Sequence, residues 1–119
     1  MTVQGTGALE QQMADKAFFV VRATVADASL RARFDHWYST DHLPWAVRAL
    51  KAEKAWRLWS DSDPSVHVAV YRFADKGRLE AALQSEDFKA LVADFDRSWP
   101  SGIARTRELL TLVEAAPAS

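Results

Sequence analysis

The residue types able to do chemistry crowd into one stretch, Phe34-Asp35-His36-Trp37-Tyr38-Ser39-Thr40-Asp41-His42-Leu43-Pro44-Trp45. It holds two of the chain's three histidines, two of its five tryptophans and one of its two tyrosines. At about 100° per residue, a helix here puts Leu30, Phe34 and Trp37 on one apolar stripe, with Tyr38 at its edge and His42 one turn further on. Asp35 precedes Tyr38 by three residues and His42 by seven, so the three share a flank. An imidazole titrates near neutrality, and a phenol and two carboxylates close by equip His42 as a general acid or base. Its plain alternative is a ring bonded to a backbone carbonyl where the helix bends. Asp35 would favour the protonated ring on approaching it to about 4–6 Å. Asp41 falls within the apolar stripe of a regular helix, so it is either a buried carboxylate or the sign of a bend ahead of Pro44. Two roles are open to it: orienting an imidazole from another element, or capping the Pro44 turn. Tyr38 either aims its phenol into a cavity or is a core-edge ring with a wet hydroxyl. The catalytic candidates are His42, Tyr38, Asp35 and Asp41.

Rings and guanidiniums supply the binding candidates. Trp37, Trp45, Trp56, Trp59 and Trp99 have the size of core or subunit-interface rings, and Trp37, Trp45 and Trp59 are put forward as ligand-binding. Arg22 and Arg57 sit on strand positions where a guanidinium either holds a carboxylate or phenolate or makes an inter-subunit ion pair. His36 and His67 read as solvated or structural. Metal is disfavoured: there is no cysteine and no His-x-x-x-His, and His36 and His42 lie about 120° apart on a helix. None of the four glycines forms a phosphate cradle, and no Gly-x-Ser-x-Gly elbow occurs.

Composition bounds the rest. A chain of 119 residues, 49% of them apolar, makes one globular domain with a core that needs neither metal nor disulfide. A net charge of −1 gives no reason to expect nucleic acid or an anionic membrane as partner. No apolar run approaches the ~18 residues of a membrane span and the start has no signal-peptide pattern, so a cytoplasmic protein is expected.

The elements that must position these residues follow from periodicity. Residues 1–16 read as a flexible leader, 17–115 as the domain and 116–119 as a tail. Strands are predicted over 18–25, 55–60, 66–73 and 105–114 from β-branched and aromatic runs. A first helix spans 29–41 with a further piece over 44–50, and a second helix capped by Asp75 has an internal cap at Ser85-Glu86. The order βαββαβ predicts an α+β, ferredoxin-like sandwich: a four-stranded antiparallel sheet with two helices on one face. Both faces of several strands are apolar, so the helix-free face calls for a symmetric partner.

With Phe34-x-x-Trp37-Tyr38-x-x-x-His42-x-Pro44 on its first helix, residues 17–115 resemble the EthD-like branch of the dimeric α+β barrel superfamily. The run Ser85-Glu86-Asp87-Phe88-Lys89-Ala90-Leu91 through Phe95 and Trp99 is also similar to that group. The resemblance implies a homodimer whose sheets pair as a barrel, with a cavity for a small apolar or aromatic ligand beside each first helix. It implies a small-molecule-binding protein or a cofactor-independent cyclase, dehydratase or isomerase acting by acid–base chemistry on an aromatic or polyketide-like substrate. The alternatives it carries are a non-catalytic ligand-binding or stress-related module, and a haem-binding or monooxygenase-type relative with His42 as axial ligand. The chain departs from those relatives at Lys51-Ala52-Glu53-Lys54, where they tend to place a Pro-Gly-aromatic turn.

Overall fold

The structure, a computed structural model, describes residues 15–117, so the predicted leader lies almost wholly outside it. Strand β1 (Ala17–Val25) leads through a 3-10 turn (Ala28–Leu30) into helix α1 (Arg31–Trp37), a π-helical turn (Tyr38–His42) and helix α2 (Leu43–Leu50). Strands β2 (Lys54–Trp59) and β3 (Val66–Phe73), helices α3 (Lys76–Leu83) and α4 (Glu86–Ser98), and strand β4 (Ile103–Thr111) complete it. The four strands form one antiparallel sheet in the order β2-β3-β1-β4, as the ferredoxin-like reading requires.

Alternation decides what each face of the sheet carries. Ala17, Phe19, Val21, Ala23 and Val25 of β1, with His67, Ala69, Tyr71 and Phe73 of β3, are buried under the helices. The other face carries cross-strand rows set by register: Trp56–Val70–Val20–Glu108, Leu58–Val68–Arg22–Thr106 and Lys54–Arg72–Phe18–Leu110. No helix among the described residues covers it, and Leu58 and Leu110 are 51% and 44% exposed there.

The first helical region neither breaks before Pro44 nor buries Asp41. The Leu43 N–H reaches back five residues to the Tyr38 carbonyl, and the chain runs on into α2 with Pro44 in its first turn. Phe34, Tyr38, His42, Ala46 and Leu50 are all buried. Their spacing of four overshoots a full turn by about 40° per step in a regular α-helix. One wider turn removes part of that drift, so all five stay toward the sheet and Asp41 lies exposed instead. Helix α2 ends on Lys51 at φ 58°, with its N–H on the Arg48 carbonyl and that of Ala52 on the Val47 carbonyl.

Elsewhere capping residues set the bounds. Asp75 accepts from the Arg78 N–H at 2.8 Å to start α3, and Ser85 accepts from the Phe88 N–H at 3.1 Å to start α4. Strand β4 begins and ends earlier than its predicted 105–114, because Ile103 and Ala104 already pair with Val25 and Thr24 and the ladder stops at Thr111 opposite Ala17. Among the described residues no helix is long and apolar enough to cross a membrane.

Candidate functional site

The wide turn places Tyr38 and His42 one above the other against the sheet, and α4 closes over them. A cavity of about 40 Å3 remains between these elements. Its wall takes Tyr38 and His42 from the turn, Phe19 and Val21 from β1 and Tyr71 from β3. Phe88, Leu91, Val92 and Phe95 of α4 and Arg105 and Arg107 of β4 complete the side facing out. Phe95, Arg105 and Arg107 also line a polar cleft of about 440 Å3 with Asp96, Trp99 and Ile103, so the arginines stand between an inner cavity and an open vestibule.

His42 is 8% exposed and stacked on Trp37, ring centroids 4.8 Å apart. Tyr38 and Phe95 meet it edge-on. Burial pushes its pKa down to about 4, with Asp94 opposing and the Arg105 guanidinium adding to the shift, so the ring is neutral at pH 7. Its Nδ1 is buried without a hydrogen-bond partner among the described residues. No backbone carbonyl meets Nδ1 among the described residues, and aromatic rings pack the imidazole on three sides. The Tyr38 and Tyr71 hydroxyls lie 3.1 Å apart and satisfy one another. Burial raises both phenols, Tyr38 to about 12, so both keep their protons.

A second polar group lies behind Tyr38. The Arg57 Nε–H donates to His67 Nε2 at 3.1 Å, and its terminal nitrogen pairs with the Asp35 carboxylate. The Trp59 indole N–H donates to the same Asp35 oxygen at 2.7 Å. These hydrogen bonds, the Trp59 indole first, hold Asp35 below the usual carboxylate range. His67 is fully buried, and desolvation with the nearby Arg57 charge brings it down to about 4. Arg57 also sits 5.5 Å from the Tyr38 ring centroid.

The sequence-derived candidates therefore divide. Tyr38 and His42 line the cavity, and Trp37 backs His42. Asp35 turns from His42 to Arg57, because the wide turn rotates His42 off the flank they would share in a regular helix; the carboxylate acting on His42 is Asp94. Asp41 is exposed and forms no part of the cavity wall. Arg57 and Trp59 belong to the cluster behind Tyr38, Trp45 packs half-buried at the edge of the core, and Arg22 lies exposed on the helix-free face. Sequence reasoning missed Tyr71, Phe88, Phe95, Arg105 and Arg107; the alternation Ile103, Arg105, Arg107, Leu109 marked one strand face without saying which.

This is a ferredoxin-like α+β fold, here carrying an imidazole, two phenols and two guanidiniums around one cavity. No family model and no curated protein matches the sequence. Solved structures do match. SnoaB, a cofactor-independent oxygenase from Streptomyces nogalater, is 20% identical with a TM-score of 0.65, over 88% of this chain and 100% of that one. HapK from Hahella chejuensis is 13% identical with a TM-score of 0.63, over 87% and 98%. An ethyl tert-butyl ether degradation (EthD) family protein from Bacillus halodurans is 13% identical with a TM-score of 0.59, over 77% and 96%. At these identities the likeness is one of fold.

Proposed function

We propose that this chain is a homodimeric small-molecule enzyme that moves a proton on an aromatic or polyketide-like substrate without a cofactor. The observation that carries the reading is His42, a neutral ring with no hydrogen bond among the described residues, set in a wall of aromatic side chains and protonated phenols. A neutral imidazole accepts a proton from an acidic C–H or O–H of the substrate. One of the two paired phenols, accepting from the other, donates a hydrogen bond to the oxygen on which negative charge then develops. Return of the proton to another carbon gives isomerisation; its delivery to a departing hydroxyl gives dehydration and water.

The helix-free face supports the assembly. Rows such as Trp56–Val70–Val20 leave an apolar surface that a second copy covers by two-fold symmetry. Such an interface should bury more than ~1,000 Å2.

The test is turnover of a panel of anthrone and naphthol polyketides, followed by absorbance, in the wild type and in His42→Gln. Turnover on the order of 100-fold lower in a folded His42→Gln variant is expected. Near-wild-type turnover would end the acid–base role of His42, and an inert wild type would leave a ligand-binding module. Oxygenation is the second reading, favoured by the likeness to SnoaB, since a deprotonated, electron-rich ring can pass electrons to O2. Oxygen uptake accompanying turnover distinguishes it.

A further inference from the structure

The inner cavity accounts for His42 and the phenols but leaves the two arginines of β4 unused. Arg105 and Arg107 alternate onto the helix-facing side of the strand and stand next to each other at the junction of cavity and vestibule. Arg105 lies 3.9 Å from the Phe95 ring centroid and Arg107 5.3 Å from that of Phe88. Flat aromatic faces hold both guanidiniums in place while leaving their N–H edges for other partners.

Their charge is not balanced. Asp96 pairs with Arg105 at 3.0 Å, and Arg107 has no ion pair among the described residues. Asp94, the other carboxylate close by on α4, is taken by Arg97 at 2.9 Å. The vestibule adds one more donor, the Trp99 indole N–H, which is buried without an acceptor among the described residues. The polar lining thus consists of donors with one acceptor already engaged. Desolvation and the neighbouring Arg105 charge work against Arg107, with Asp96 opposing them only in part, the condition an incoming anion relieves.

We infer that Arg105 and Arg107 form an anion subsite at the cavity mouth, and that the substrate is an aromatic acid whose ring enters toward His42 while its carboxylate rests between the two guanidiniums. This deepens the proposed function and rests on its placing the substrate ring in the inner cavity. Two forks two residues apart on one strand face can each offer paired N–H groups to a carboxylate, which a neutral ligand cannot use. The subsite therefore selects for charge at one end of the ligand and for apolar surface at the other.

The probe pair is 1-anilinonaphthalene-8-sulfonate and its uncharged parent N-phenyl-1-naphthylamine, which differ by one sulfonate, titrated by fluorescence. The wild type should bind the sulfonate on the order of tenfold or more tighter than the parent, as expected for a charge-assisted contact. Arg107→Gln should abolish that preference and leave affinity for the parent unchanged, while Arg107→Lys keeps part of it. Val92→Trp, which fills the inner cavity from α4, should weaken both dyes. Equal wild-type affinity for the two dyes, or a preference that survives Arg107→Gln, overturns the anion subsite and leaves the cavity reading standing. Binding of neither dye, or binding untouched by Val92→Trp, overturns the cavity reading and the subsite with it.

Discussion

Acidification should unfold this protein through two histidines before its carboxylates matter. His42 and His67 are both buried, and burial takes each from the usual 6.5 to about 4. A group with a lower pKa folded than unfolded binds fewer protons in the native state. The stability it contributes is therefore fully present above pH 6.5 and is lost as pH falls through the folded value near 4. The 2.5-unit difference corresponds to about 3.4 kcal/mol per ring once pH lies below both values, and to about 2 kcal/mol per ring at pH 5. Two rings then remove on the order of 4 kcal/mol by pH 5, a large share of the 5–15 kcal/mol typical of a domain. Urea unfolding followed by circular dichroism at fixed protein concentration, from pH 8 to pH 5, measures it. His42→Gln and His67→Gln should each remove about half of the pH dependence, the latter keeping an acceptor for the Arg57 Nε–H. Wild-type stability equal at pH 7 and pH 5 to within ~0.5 kcal/mol would refute the claim that both rings are held neutral by burial.

Tyr38→Phe strands the buried Tyr71 hydroxyl and should cost about 1–2 kcal/mol in thermal denaturation; an unchanged midpoint means that water already serves that hydroxyl. Lys51→Gly removes a side chain from a left-handed position and should raise stability by about 0.5–1 kcal/mol, read by urea midpoint. Val68→Glu puts a charge in the middle of the helix-free face and should turn a dimer into a folded monomer by sedimentation; a wild type already monomeric at micromolar concentration contradicts the proposed assembly.

Local rules made much of the fold legible. In β3 the valines at 66, 68 and 70 alternate with His67, Ala69 and Tyr71, so period two assigned each side chain its face. Asp75 and Ser85 signalled two helix starts by capping chemistry. What failed was whatever needed a long-range partner or an irregular turn. The pairing of Asp35 with His42 assumed a constant 100° per residue, which the turn at Tyr38–His42 breaks. Asp94, Arg105 and Arg107 reach the site from more than fifty residues away, through a strand register and a helix packing that no local spacing encodes.

That wide turn also makes the segment a place where the chain can change length by one residue without turning its buried face away. Ser39, Thr40 and Asp41 are exposed, so most side chains should be accepted there. Removing any one of them leaves eleven residues from Phe34 to Ala46, about 20° from three full turns of a regular helix, so Ala46 and Leu50 would keep facing the sheet. Among related sequences, substitutions and single-residue deletions should therefore both be found at 39–41, making a window tolerant in composition and in length by one residue the genetic mark of this site.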